Sequence, residues 1–122
     1  MGTRTDITLR PVGRVHREGG VQIISVFPEF TEGLLGIAEA DRLQILYWMH
    51  RLDEDDRRIL QCHPRADTSR PLRGVFALRS PMRPNPIGST VVDLQKVRDG
   101  SLVVTGLDAE DGSPVIDIKI SS

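Results

Sequence analysis

At 122 residues the chain has room for one compact domain, and its 39% hydrophobic and 27% charged content is that of a globular protein. No run of about 18 uninterrupted apolar residues occurs, and MGTRTDITLR has no apolar core behind a basic start, so neither a membrane-spanning helix nor a secretory leader is expected. A lone Cys62 excludes an intramolecular disulfide, and His16, His50 and His63 lack metal-ligand spacing, so a metal-free, cytoplasmic protein is expected.

The formal net charge of -1 is unevenly spread. Residues 1–56 carry six arginines against ten acids, and residues 84–122 carry three bases against six. Between them, residues 57–83 carry seven arginines against Asp67 alone. A basic centre between acidic flanks fits one local anionic partner, or arginines that pair with the flanking acids in solvent.

In chain order, residues 7–9 and 12–15 alternate apolar and polar side chains, and residues 21–27 follow the Gly19-Gly20 turn. All three read as strands. Glycines bracket residues 30–36, which predicts a loop or one helical turn, and residues 38–42 predict a second. Residues 43–49 (LQILYWM) are apolar except for Gln44, which predicts a buried strand, with a short helix as the alternative. Residues 53–56 read as an acidic solvated turn, 57–62 as a strand and 64–71 as a proline-bounded loop. Residues 74–78 read as a strand halted by Pro81, Pro84 and Pro86. Residues 88–97 and 101–107 form a hairpin about Asp99-Gly100, and Asp111-Gly112 turns into a last strand over 115–120. The sum is mainly β: a single domain over residues 1–122, built as a small barrel with one or two short helical turns.

The segment richest in chemistry is GVFALRSPMRPNPIG, residues 74–88. It reads as a buried strand delivering Arg79, followed by a stiff loop whose prolines fix φ and lower the entropy lost on binding. Asn85 keeps an amide with donors and an acceptor, and Gly88 permits close backbone approach. Arg79 and Arg83 beside a rigid loop suit a carboxylate or phosphate. The same composition also describes a proline-stiffened connection with its arginines in solvent.

Residues 74–85 resemble, at every fixed position, the signature of the TsaA-like family of tRNA-modifying methyltransferases. Residues 43–51, ending in His50-Arg51, and residues 106–119, ending in Asp117-Ile118-Lys119, resemble two further family segments in the expected order. The resemblance implies a small β-barrel, a homodimer, S-adenosylmethionine as cofactor, and methylation of N6 of a threonylcarbamoyl-adenosine beside the tRNA anticodon. It places cofactor contacts on His50, Arg51, Arg79, Ser89, Leu107, Asp108, Ala109 and Glu110. Within that frame Arg79 suits the cofactor carboxylate and Asp108 its ribose diol or amino group. Arg65, Arg70, Arg73, Arg83 and Asn85 are then expected to meet the tRNA. The acceptor nitrogen must lose a proton, for which His50 and Asp117 are the candidates.

Two departures set further expectations. No proline-arginine-glutamine contact of the family is found before residue 21, which predicts a weaker hold on the cofactor. The chain ends without the family's proline-tyrosine and further C-terminal domain, which predicts limited phosphate contact. Methylation of a small acceptor, and a non-catalytic dimeric binding module, are the alternatives.

Overall fold

Turn chemistry and inward-facing branched residues determine where this chain becomes strand. The structure is a computed structural model that describes residues 4–121. Its strands are β1 (Gly13–Glu18), β2 (Val21–Val26), β3 (Arg42–Trp48), β4 (Gln61–Cys62), β5 (Arg73–Gly74), β6 (Ile87–Arg98), β7 (Ser101–Thr105) and β8 (Pro114–Ser121). Six of them close an antiparallel barrel in the order β1-β2-β7-β6-β3-β8, and β4 pairs only with β5. The seam between β1 and β8 is short, with Gly13 opposite Val115 and Arg14 opposite Pro114.

The expected hairpin is present. Arg98 faces Ser101 across a two-residue turn in which Asp99 and Gly100 both take positive φ, at 43° and 80°. That geometry matches strand twist and is why Asp-Gly is favoured there. Alternation then carries Val15, Ile24, Leu43, Ile45, Val92, Leu102 and Val104 into the barrel interior, all 2% exposed or less. Each such side chain contributes about 1.5–3 kcal/mol relative to leaving it in water.

The last strand departs from strict alternation. Leu46 faces Asp117 and Tyr47 faces Val115, so a bulge leaves Ile116 unpaired. The two sides of the bulge point opposite sets inward, and Val115 and Ile118 both meet the core.

Three sequence expectations need correction. Residues 7–9 are not a strand, and Ile7 is 85% exposed. The turn expected over residues 53–56 is a one-turn helix α1 (Glu54–Arg57), and the strand expected over 57–62 shrinks to the two-residue β4 (Gln61–Cys62). Asp53 caps it by accepting from the Asp56 N–H at 2.9 Å, while Asp56 accepts from the Asp53 N–H at 3.0 Å. Residues 74–78 are a 3-10 turn, Val75–Ala77, not a buried strand: Val75 is buried but Phe76 is 82% exposed.

Arg83 explains that third difference. Its Nη2 donates to the Val75 and Leu78 carbonyls at 2.6 Å each, and its Nε donates to the Ser80 carbonyl at 2.7 Å. One guanidinium thus gathers three carbonyls and curls the segment. Arg57 fastens the proline loop from the other side, donating to the Pro84 carbonyl at 2.8 Å while stacking 5.4 Å above the Trp48 ring. The excursion between β3 and β6 is therefore held to the barrel by arginines, with the Met49 N–H to Pro86 carbonyl bond of 2.8 Å as a further tie.

Candidate active site

Two clefts meet where β3 ends, beside the loop that leads into β8. The first is about 760 Å³ and is lined by His50, Arg51 and residues 108–111, among others. The second, about 420 Å³, is lined by Arg79, Arg83, Gly88 and Ser89. Tyr47, Met49, Pro81 and Asp108 line both, so the two are continuous in their walls.

The loop at their junction is fixed from three directions. Arg17 Nη1 donates to the Leu107 and Ala109 carbonyls, each at 2.8 Å. The buried Gln22 accepts the Leu107 N–H at 2.9 Å through Oε1. The Tyr47 hydroxyl donates to the Asp108 carbonyl at 2.5 Å and lies 3.1 Å from Thr90 Oγ1. Leu107 and Ala109 are buried in the core, which leaves Asp108 and Glu110 outside it. Asp111 closes the loop by accepting the Arg17 N–H at 2.8 Å. That bond, then the nearby His16 and Arg17, hold its carboxyl below the ordinary 3.8.

Gly88 makes the Tyr47 position possible. A Cβ at residue 88 would lie only 2.3 and 2.4 Å from two Tyr47 ring carbons and 2.8 Å from its hydroxyl oxygen. The close approach foreseen for this glycine is thus to a side chain of β3.

Of the expected cofactor contacts, His50, Arg51, Asp108, Ala109 and Glu110 line the first cleft. Arg79 and Ser89 line the second, where Arg79 Nη2 donates to the Ser89 carbonyl at 2.9 Å. Arg51 and Glu110 form an ion pair with each other. Leu107 lines neither cleft, and both its backbone groups are already bonded, to Gln22 and Arg17. It supports the loop.

The remaining candidates divide. Arg65 and Arg70 line a third cavity, which adjoins the clefts and shares Arg79 and Pro81 with the second of them. Arg73 and Asn85 line none of these spaces and are exposed. Arg83 lines the second cleft, with its Nε and Nη2 bonded to three carbonyls of its own segment. Asp117 lies on β8 away from the clefts, bonded to the Ile118 N–H at 2.9 Å and 3.1 Å from Lys119 Nζ. Of the two candidate proton acceptors, His50 lines the first cleft and Asp117 lines neither. Arg17, Gln22 and Tyr47 were not singled out from sequence, and their long-range bonds leave no local signal.

The tRNA-methyltransferase O N-terminal domain family matches residues 10–120. A protein of Methanocaldococcus jannaschii, described as a probable S-adenosyl-L-methionine-binding protein, is 44% identical over 115 residues, 93% of this chain and 91% of that one. An S-adenosyl-L-methionine-binding protein of Archaeoglobus fulgidus is 46% identical over 99 residues, 81% of this chain and 68% of that one. The crystal structure of TrmO from Pseudomonas aeruginosa superposes with a TM-score of 0.74 at 26% identity, covering 97% of this chain and 57% of that longer one. With a closed β-barrel and a family model matched along nearly its whole length, this chain belongs to the tRNA-methyltransferase O N-terminal domain family.

Proposed function

We propose that this domain is an S-adenosylmethionine-dependent methyltransferase acting on N6 of threonylcarbamoyl-adenosine beside the tRNA anticodon. The observation that carries the reading is convergence. Three separate segments, His50-Arg51, Arg79 with Ser89, and Asp108–Glu110, line two clefts that share Tyr47 and Asp108. The residues present fit the cofactor's chemistry. Arg79 matches a carboxylate, the exposed Asp108 carboxylate matches an amine or a diol, and the clefts fall within the size of small-molecule sites.

When bound, the cofactor supplies an electrophilic methyl on a sulfonium sulfur. The chain's task is alignment, since direct displacement gains most from holding the acceptor nitrogen in line with that carbon. Arg79 and Asp108 would hold the cofactor so that its methyl group faces the acceptor nitrogen, which would give up a proton on methylation, with the demethylated cofactor as the leaving group. We assign that proton to His50, the candidate base bordering the cleft.

Calorimetry tests the cofactor assignment. Arg79→Ala should weaken S-adenosylmethionine binding by about 1.5–3 kcal/mol, roughly ten- to a hundredfold. No heat from the folded parent protein at millimolar ligand would remove the cofactor from the reading. Incubation with tRNA and mass spectrometry of the digested nucleosides then tests the acceptor.

We also propose a cytoplasmic homodimer. Small barrels bury limited surface, and the outward face of β3 and β6 carries Leu46, Ile87 and Val91, the last 49% exposed. Light scattering during size exclusion at micromolar concentration should give about twice the chain mass. A monomeric mass would contradict it.

A further inference from the structure

A third cavity, of about 890 Å³, adjoins the two clefts and differs from them in chemistry. Pro81 lines all three spaces, and Leu78, Arg79 and Ser80 line both this cavity and the second cleft. Its opposite wall is the loop between β4 and β5, closed at its base by the Cys62–Arg73 pairing and by His63 Nδ1 lying 2.8 Å from the Arg70 carbonyl. Arg65, Arg70 and Arg79 line it, and no Asp or Glu does. The rest of the wall is largely apolar, with Leu72, Leu78 and Met82 prominent.

The backbone in this loop is strained where the charge is presented. Arg65 (φ 54°, ψ 31°) and Ala66 (φ 57°) are consecutive non-glycine residues in the left-handed region. Each costs on the order of 1 kcal/mol, a cost that recurs where function dictates side-chain placement. The Arg65 guanidinium has no hydrogen-bond or ion-pair partner among the described residues. Arg70 is partly engaged, with Nε 3.5 Å from Asp67, whose other oxygen accepts the Ser69 hydroxyl at 2.6 Å. A concave, acid-free, apolar space with an unpartnered arginine suits an organic anion, which satisfies the cation and buries its own body.

We propose that this cavity is the methyl-acceptor site and that it binds an organic anion. The carboxylate or phosphate of that anion meets Arg65 and Arg70, and its planar or apolar body lies against Leu72, Leu78 and Met82. Arg65 and Arg70 thereby select one acceptor group inside a cavity, whereas Arg73, which lines none of these spaces, has no part in that choice. This assignment rests on the methyltransferase reading of the adjoining clefts, which places the donor across Pro81.

The test uses the full chain with benzoate and phenyl phosphate as probes, and benzyl alcohol and inorganic phosphate as controls. Cys62 lines the cavity and is part-exposed, so its alkylation by iodoacetamide reports occupancy. Amide shifts of residues 65–70 in nitrogen-15 spectra report the same event without the thiol. Benzoate or phenyl phosphate should slow alkylation severalfold and shift those amides, and whichever acts at lower concentration identifies the anion. Arg65→Ala should abolish the protection while S-adenosylmethionine binding by calorimetry stays within twofold of the parent. Arg73→Ala should change neither. Equal protection by benzyl alcohol, or none by either aromatic anion in both readouts, overturns the proposal. Loss of cofactor binding in the parent with anion protection intact would instead sink the methyltransferase reading and leave an anion pocket.

Discussion

Replacing Gly88 by alanine should destabilise the protein by about 3 kcal/mol, the upper end of the overpacking range. The added Cβ clashes with the Tyr47 ring at 2.3 Å, and that ring has little freedom to retreat. It is 5% exposed within the barrel core, and its hydroxyl is bonded to the Asp108 carbonyl and lies beside Thr90. Moving it breaks the tie to the loop at the junction of the clefts, so one methyl group strains the core and loosens the site together. Urea unfolding monitored by circular dichroism measures the first effect, and calorimetry with S-adenosylmethionine the second. A double-mutant cycle with Tyr47→Val separates the clash from any strand propensity effect, because the clash needs both side chains. A loss below about 0.5 kcal/mol, the ordinary surface range, would mean the ring swings aside freely and fixes nothing.

The barrel was legible in the sequence because its causes are local. Asp99-Gly100 and Asp111-Gly112 announce their turns, with Gly100 and Gly112 both at positive φ, and residues 43–49 announce a buried strand that the structure places at Arg42–Trp48. The excursion over residues 53–86 was not legible, because its shape is set by single arginines acting over distance. Residues 74–78 have the composition of a strand, yet Arg83 draws three of the surrounding carbonyls together and holds a 3-10 turn instead. The strand expected over residues 57–62 likewise starts only at Gln61, because the Asp53–Asp56 capping box carries a helical turn through Arg57, a signal hidden because Asp56 replaces the usual Glu or Gln at the third helical position. At the clefts, charged residues adjacent to a motif were readable. The residues that hold the loop were not: Arg17 reaches carbonyls about 90 positions away in sequence.

Arg17 therefore carries the second large expectation. Arg17→Met keeps most of the side chain's length and apolar stem but removes the donor shared by the Leu107 and Ala109 carbonyls. Both bonds are partly buried, and an acceptor deprived of a charged donor costs about 1–3 kcal/mol. The backbone bond from the Arg17 N–H to Asp111 survives this change, which makes the two anchors separable. Asp111→Asn should in turn leave the guanidinium bonds in place. Because the Asp111 carboxyl is held below 3.8, its contribution is present above that pH and fades as pH falls through its folded value. At pH 7 the methionine variant should unfold at lower urea and bind S-adenosylmethionine at least tenfold more weakly, about 1.4 kcal/mol, through displacement of Asp108 and Glu110. A positioning role predicts that affinity falls further than stability alone explains, so both are measured at a temperature where the variant is fully folded. Unchanged affinity in a folded but destabilised variant would show that Arg17 serves only the barrel, with Gln22 and Tyr47 sufficient to place the loop.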